Sequence, residues 1–197
     1  MMTRIILAGI LGGIAMFIWT SIAHVFTPLG EMGIRQMHNE SAVLDALKTN
    51  LGDDRGLYVY PGTGLGPDAT SEQKREAMKS MGDKLSKNPS GILMYNPLRP
   101  LNMPKLLGRE FGKEILVSLL AVFLLAQTRI VSLLGRVGFV TVIGLIAATS
   151  TNVSYWIWYA FPKRYTAAYM LIDIIAFAIV GVVAALVFPK ADPSQTT

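Results

Sequence analysis

The sequence contains no cysteine and only two histidines, His24 and His38. Without cysteine the chain has no disulfide bond, no thiolate nucleophile, no iron–sulfur cluster and no haem attached through a cysteine pair. Two histidines are too few for a histidine-rich metal site. Charged residues are also sparse, at 16% of the chain. We therefore predict neither a metal nor a cofactor, and we turn to the long stretches that carry no charge.

Four apolar stretches interrupt the chain. A helix of about 20 mostly apolar residues crosses the hydrocarbon core of a bilayer, and residues 5–26, 137–160 and 165–188 meet that length. The remaining stretch, residues 111–131, comes second in the chain and would be span two. It is uncharged only between residues 115 and 127, but Lys113 and Arg129 near its ends can reach the headgroups. We predict a mainly α fold, a four-helix transmembrane bundle with a small α+β extramembrane segment between spans one and two.

These spans divide the chain into four parts. Residues 1–26 form a transmembrane anchor, residues 27–110 the extramembrane segment, residues 111–189 a three-span region and residues 190–197 a polar tail. The first part also has features of a cleavable secretory signal, because Ser21-Ile22-Ala23 has the small-x-small pattern of a cleavage site. Its apolar run is longer than that of a usual signal, and Trp19 lies just before the cut. We expect an uncleaved anchor.

The charges and aromatic residues beside the spans predict an orientation. Cations in short loops favour the cytoplasm, and they place both termini there: Arg4, Arg129, Arg136 and Lys190 would lie inside, and Lys163 and Arg164 outside. Aromatic rings would then gather at the outer interface: Trp19, Tyr155, Trp156, Trp158, Tyr159, Phe161 and Tyr165. No basic face is concentrated enough for nucleic acid. The predicted location is a bacterial inner membrane, with the outer segment in the periplasm and lipids as partners.

The extramembrane segment shows short helices and strands. A helix over residues 41–50 can be capped by Asn39 or Ser41, and a second helix begins at Thr70, whose spacing to Gln73 fits a capping box. Residues 56–60 and 91–95 read as strands, and the helix between them predicts parallel pairing. A further helix begins at Asn102 and continues into span two. Since two strands alone are marginal in water, this segment needs support from the membrane or a partner.

The residue that stands out inside a span is Asp173. A carboxyl group at that depth is costly and usually has a functional or structural partner. Asn152 lies at matching depth if spans three and four form a hairpin, and His24, Trp19 and Thr20 lie at the outer end of span one. Three interpretations remain open: an interhelical hydrogen bond from Asp173 to Asn152 or Thr20, a ligand or proton pathway, and an acid–base pair of Asp173 with His24.

Small residues recur at four-residue spacing on two spans. Gly9 and Gly13 share one face of span one, and Gly181 and Ala185 share one face of span four. Such steps let helix backbones approach closely, either within the chain or against another subunit.

Three runs carry a resemblance: PLGEMG at residues 28–33, GLYVYPG at residues 56–62 and YWIWYAFP at residues 155–162. In these runs the chain resembles a set of uncharacterised bacterial four-span inner-membrane proteins. The resemblance implies one anchor, an outer segment and three further spans, and it implies no catalytic motif, cofactor or substrate.

The predicted function rests on one absent feature and two present ones. It shows no complete catalytic constellation, but it has an under-stabilised outer segment and small-residue helix faces. We predict a non-catalytic accessory or scaffold subunit of a bacterial membrane complex, in contact with other membrane subunits or with a second copy. The alternative is a small proton-coupled transporter or channel that uses Asp173.

Overall fold

The computed structural model describes residues 2–188, and these are mainly helical. The polar tail predicted at residues 190–197, with Lys190, lies outside the described residues. The described chain divides into two compact units. Residues 2–34 and 102–188 form the first, here called the helical unit, and residues 35–101 form the second, here called the inserted unit.

The secondary-structure elements follow one another with short connections. In chain order they are α1 (Met2–Val25), a 3₁₀ turn (Pro28–Glu31), α2 (Glu40–Leu51), β1 (Gly56–Tyr60), α3 (Ser71–Lys87), β2 (Gly91–Tyr95), α4 (Met103–Ala126), α5 (Leu133–Ala148), a π turn (Thr149–Val153), α6 (Ser154–Tyr159) and α7 (Lys163–Val187).

Three of these helical runs are long and apolar enough to cross a membrane: Met2–Val25, Leu133–Tyr159 and Lys163–Val187. They coincide with the spans predicted at residues 5–26, 137–160 and 165–188. The second of them combines α5, the π turn and α6 into one run. The predicted span at residues 111–131 falls on α4, which is not among these three helices, so the prediction of four spans is not confirmed. Helix α4 begins earlier than residue 111 and ends at Ala126, short of the predicted residue 131.

Local chemistry accounts for the helix ends. Asn102 begins α4 because its side chain accepts a hydrogen bond from the backbone N–H of Lys105, and Pro104 fits the first turn. Ser132 caps α5 in the same way. Helix α6 ends at Ala160, which adopts a left-handed φ of 54°, and Pro162 precedes α7. The tight turn between α6 and α7 follows from this pair of residues.

The helical unit is arranged around α1, which packs against α4 on one side and α7 on another, and α7 packs in turn against α5. Helices α1 and α4 are antiparallel, since Gly9 lies against Leu119 and Gly13 against Ile115. In the same pair Phe17 of α1 meets Phe111 of α4 edge to face, with centroids 5.3 Å apart. Apolar side chains from all four helices form the core: Ile5, Ala8, Met16, Ala121, Val122, Leu125, Val140, Ala176, Phe177, Val180 and Ala184.

The small residues on α1 and α7 allow this close packing within the chain. A Cβ atom at Gly13 would lie 2.7 Å from the Cα of Ile115 on α4, and one at Gly9 would lie 2.9 Å from the Cα of Leu119. A Cβ at Gly181 would lie 2.9 Å from the Cα of Val137 on α5, and Ala185 is buried near it on α7. These faces are therefore occupied by other helices of the same chain.

The inserted unit contains a two-stranded sheet, and its strands are antiparallel, with Gly56 opposite Tyr95 and Tyr60 opposite Gly91. The prediction of parallel pairing was wrong. A parallel connection needs its helix to pack across the sheet, but α3 has no buried residue and so does not pack as such a crossover. The predicted caps are present, since Asn39 caps α2 and the Thr70–Gln73 capping box begins α3.

The inserted unit buries little of its apolar surface. Neither α2 nor α3 contains a buried residue, and Tyr95, whose hydroxyl donates to the carbonyl of Gly52, is the buried residue of the two strands. On α3, Met78 is 64% exposed and Leu85 is 48% exposed. The residues of the inserted unit are therefore held mainly by backbone hydrogen bonds and helix caps.

The close approach of α1 and α4 gives a stability test. Gly13→Ala places a methyl group against the backbone of Ile115, so the helices must separate, and we expect the free energy of unfolding in detergent to fall by about 1–3 kcal/mol. Gly112→Ala is the matched control, because a Cβ there meets no heavy atom within 4 Å. Its expected effect is neutral or stabilising by up to about 1 kcal/mol. Equal losses for the two variants would contradict this packing.

Candidate functional site: a charged cluster between the helices

The π turn in the second candidate span positions Asn152. Residues Thr149–Val153 form one wide turn between α5 and α6, a local feature that is often found at functional sites. The Asn152 side chain is buried, and its Nδ2 donates to the carbonyl of Ala148 at 3.1 Å. The amide thus satisfies a carbonyl of its own helix and still has a second N–H to offer.

That second N–H points to α7. Asn152 Nδ2 lies 3.5 Å from Asp173 Oδ2, which is long for a hydrogen bond and indicates a weak one. Of the two partners that the sequence suggested for Asp173, the structure brings Asn152 to it. Thr20 instead donates its hydroxyl to the carbonyl of Phe17 in its own helix.

Helix α4 adds charged residues to the same region, and these include one that the sequence reasoning missed. Glu114 is 2% exposed, although it lies at the level of Gly13, in the middle of α1. Lys113 Nζ lies 3.0 Å from Glu114 Oε1 and 2.8 Å from Glu110 Oε1. Lys113 was expected to extend towards the headgroups, but it pairs with both carboxylates. One signal in the sequence could have revealed that Glu114 is buried, because it directly precedes the uncharged run of residues 115–127, which is long enough to form a helix.

The α4 group and the Asn152–Asp173 pair lie in the same half of the helical unit. Trp19 of α1 bonds to Ile172, next to Asp173, and Phe17, two residues earlier on α1, packs against Phe111, next to Glu110. We call Glu110, Lys113, Glu114, Asn152 and Asp173 the charged cluster. It includes side chains from α4, the π turn and α7, and it lies in the half of the helical unit where α1 ends and α7 begins.

Two further predicted residues, Trp19 and His24, lie on the same half of α1. The indole Nε1–H of Trp19 donates to the carbonyl of Ile172, next to Asp173, at 2.9 Å. His24 Nδ1 lies 2.8 Å from the carbonyl of Thr20 and therefore acts as the donor, while its ring meets Tyr169 edge to face. Within residues 2–188 no hydrogen bond joins His24 to Asp173, so the acid–base pair considered from the sequence is not formed.

Two buried hydroxyls lack a hydrogen-bond partner in the described part of the chain, Ser118 Oγ and Thr166 Oγ1. Ser118 lies one helical turn from Glu114, on the same buried face of α4. A buried hydroxyl is costly without a partner, and Ser118 extends the polar face of α4 beyond the charged cluster. Ser150 and Ser154 are exposed and bond to carbonyls of their own run, so they stay outside it.

The predicted aromatic residues form a continuous contact chain at one end of the helical unit. Tyr155 packs against Tyr159 and stacks on Phe161, Phe161 packs against Tyr165, and Tyr165 stacks on Tyr169 with centroids 4.2 Å apart. Trp156 and Trp158 lie on the same short helix and are exposed. This arrangement matches the amphipathic rings found at a membrane surface.

Arg136 occupies the other end of the helical unit. It is buried, it donates from Nε to the carbonyl of Ile130 at 3.1 Å and from Nη1 to the carbonyl of Phe188 at 3.3 Å. Its guanidinium also lies 5.6 Å from the centroid of the Phe188 ring. Arg136 was predicted only as a positive charge beside a span, and here it ties the start of α5 to the end of α7.

The chemistry available in the charged cluster is the holding or exchange of positive charge. It offers carboxylates, one ammonium group and an amide, and no nucleophile activated by a base. Among residues 2–188 no group of three His, Cys, Asp or Glu side chains is arranged to hold a metal ion.

The Asn152–Asp173 contact gives a second stability test. Asn152→Leu should lower the free energy of unfolding by about 1 kcal/mol, because Asp173 loses a buried donor. In a double-mutant cycle with Asp173→Leu, the coupling should be about 0.5–1 kcal/mol, at the low end because the contact is long. Ser150→Ala is the control with no expected effect. Strictly additive losses would show that the two side chains do not interact.

Comparison with known proteins identifies no relative of this chain. No protein-family model matches the chain, and no curated protein and no solved structure matches it either.

Proposed function

We propose that this chain is a four-span protein of a bacterial inner membrane, with both termini in the cytoplasm, and that it serves as a non-catalytic accessory subunit of a membrane complex. The resemblance to uncharacterised four-span inner-membrane proteins belongs to this proposal. Its partners are lipids and other membrane subunits or a second copy, and the inserted unit lies in the periplasm.

The direction of the helices supports α4 as span two, which brings the number of spans to four. Helix α1 runs antiparallel to α7, because Gly12 meets Val180 and Trp19 meets Ile172. Helix α5 also runs antiparallel to α7, because Val137 meets Gly181 and Gly144 meets Phe177. Helices α1 and α5 therefore begin at the same end. The chain leaves α1 at the other end of the bundle, so it must cross back before α5 begins. Helix α4 lies between α1 and α5 in the chain and runs antiparallel along α1, so it makes this crossing.

The composition of α4 agrees with this role. One face buries Ser118, Ala121, Val122 and Leu125 against its neighbours. The other face exposes Leu116, Leu120, Phe123 and Leu124. A helix with apolar side chains on both faces suits a lipid environment better than water.

The observation that carries the accessory role is the small core of the inserted unit. Its two helices bury no residue, and its sheet has two strands, a size that is marginal in water without further packing. Exposed apolar side chains on α3 and on the strands, such as Met78, Leu85 and Met94, supply a surface for a partner subunit. The glycine faces of α1 and α7 no longer support a partner, because the chain itself covers them.

A second candidate function is proton-coupled transport or conduction through Asp173. The charged cluster favours it, since Glu114 is buried in the middle of the helical unit and Asp173 is paired with the buried Asn152. Ionisable groups at such a depth are typical of proton relays. Four spans are few for a transporter, so this function requires oligomerisation.

The topology can be tested directly because the chain has no cysteine. In intact spheroplasts, a membrane-impermeant maleimide should label Thr63→Cys, between β1 and α3, and should not label Gln127→Cys, just after α4. Gln127→Cys should be labelled once the membrane is broken. Labelling of both positions in intact spheroplasts would mean that α4 does not cross, and the reverse pattern would invert the orientation.

Gentle detergent extraction followed by mass spectrometry tests the accessory role. We expect the chain to co-purify in stoichiometric amount with another membrane protein or as a homo-oligomer. Met78→Glu with Leu85→Glu, on the apolar face of α3, should release the partner because two charges would be buried on binding. Ser80→Glu with Ser86→Glu adds the same charge on exposed positions of α3 and should retain it. A folded, lone monomer from the native membrane would contradict the role.

A further inference from the structure

The two-stranded sheet of the inserted unit has one aliphatic face. Alternate residues of a strand point to opposite faces, and residues paired across antiparallel strands share a face. Leu57 is paired with Met94 and Val59 with Ile92, so these side chains lie together, and we call them the aliphatic face. Leu57 is 65% exposed and Met94 is 76% exposed. A contiguous exposed apolar patch of this kind marks an interaction surface.

The opposite face of the sheet is covered by the chain itself. Tyr95 is buried, and its hydroxyl donates to the carbonyl of Gly52 at 2.8 Å. The hydroxyl of Tyr58 donates to the carbonyl of Asp54 at 2.7 Å. Both tyrosines therefore fold over the turn that precedes β1, and the aliphatic face is the one left open to a partner.

The chain enters and leaves the inserted unit at the same end of the helical unit. Helices α1 and α4 are antiparallel, so the end of α1, where the insertion begins, lies beside the start of α4, where the insertion finishes. Trp19, near the end of α1, bonds to Ile172 in the first half of α7, so the aromatic chain from Tyr155 to Tyr169 belongs to this end as well. Such rings are typical of a membrane surface, and both connections of the inserted unit therefore start there.

The connection from the sheet back to α4 is short. Residues 96–102 join the end of β2 to the start of α4, and they span at most about 25 Å when fully extended. The sheet therefore stays within reach of the lipid headgroups around the start of α4, whatever else the protein binds.

The charge of this part of the chain suits anionic headgroups. Residues 88–109 contain Arg99, Lys105 and Arg109 and no aspartate or glutamate. Leu98 and Leu101, on either side of Arg99, are exposed. Cations interleaved with exposed apolar side chains are typical of segments that lie in the interface of an anionic bilayer.

Helix α3 differs from the sheet in this respect. It carries carboxylates beside its cations, with Glu72 paired to Arg75 and Glu76 paired to Lys79. A surface with both signs of charge gains little from an anionic bilayer, so α3 is the better surface for a protein subunit, and the sheet is the better surface for lipid.

We propose that the aliphatic face docks in the headgroup region of the bilayer that the helical unit crosses, with Arg99 and Lys105 against anionic lipid phosphates. The inference rests on the proposed membrane setting. It names lipid as the partner of the strands and leaves α3 to the partner subunit. Lipid would then supply the packing that a two-stranded sheet lacks in water.

Quenching of a fluorescent label by lipid tests this contact, because the chain has no cysteine of its own. The full chain is placed in nanodiscs, one copy in each, that contain phosphatidylglycerol with a nitroxide high on its acyl chain. A label on Met94→Cys should be quenched about threefold more than one on Leu93→Cys, the next residue of the strand, which points to the opposite face. Equal quenching at the two positions would overturn the proposal.

A label on Ile146→Cys separates this contact from the membrane setting. Ile146 is exposed on a candidate span, so a nitroxide deep in the acyl chain should quench it. Quenching at Ile146 but not at Met94 would reject the lipid contact of the sheet and keep the membrane setting, and quenching at neither position would reject both. A Met94 label that is shielded from water but not quenched by lipid would mean that protein covers the aliphatic face, which also overturns the proposal.

Arg99→Gln with Lys105→Gln tests the anionic headgroups. Docking should weaken about fivefold for each cation removed, so quenching of the Met94→Cys label should fall towards its value in phosphatidylcholine nanodiscs. Lys74→Gln with Lys79→Gln removes the same charge from α3 and should leave the quenching unchanged. The assignment of anionic lipid is wrong if the two double variants behave alike.

Discussion

The structure depends on the requirement that polar groups among apolar helices find partners inside the protein. Hydrocarbon offers no hydrogen bonds, so a polar group there is stabilised by a partner from the chain itself, although the buried hydroxyls of Ser118 and Thr166 have none in the described part of the chain. Asp173 meets the amide of Asn152, Glu114 meets the ammonium of Lys113, and Arg136 meets two backbone carbonyls. Trp19 and Thr20 likewise donate to backbone carbonyls. The contacts of Asn152 with Asp173, of Trp19 with Ile172 and of Arg136 with Phe188 join different elements, and they fix which helices are neighbours and at what level.

Close packing at glycine makes these polar contacts possible. Gly13 brings the backbone of α1 against that of α4, and Gly181 brings α7 against α5. Larger residues would hold the helices further apart, and side chains as short as Asp173 and Asn152 would no longer reach each other. The glycines also explain why the helical unit needs no partner on those faces, whereas the inserted unit, with few buried residues, lacks such packing of its own.

The sequence predicted local features well and pairings less well. The positions of α1, α5 to α6 and α7, the caps at Asn39 and Thr70 and the start of α4 at Asn102 all follow from composition and short-range spacing. Antiparallel pairing of β1 and β2 was not predicted, because it depends on whether α3 packs across the sheet. The burial of Glu114 was missed because a charged residue beside an apolar run is read as the end of that run.

The sequence by itself determined that long apolar helices dominate this protein and that Asp173 lies inside one of them, because hydrophobicity and helix caps are properties of neighbouring residues. Only the tertiary structure decided that Lys113 and Glu114 lie in the same half of the helical unit as Asp173, and that the π turn aims Asn152 at Asp173. These residues lie on elements far apart in the chain. The angle and depth at which the helices pack therefore set their distances, and no periodicity along a single helix contains that information.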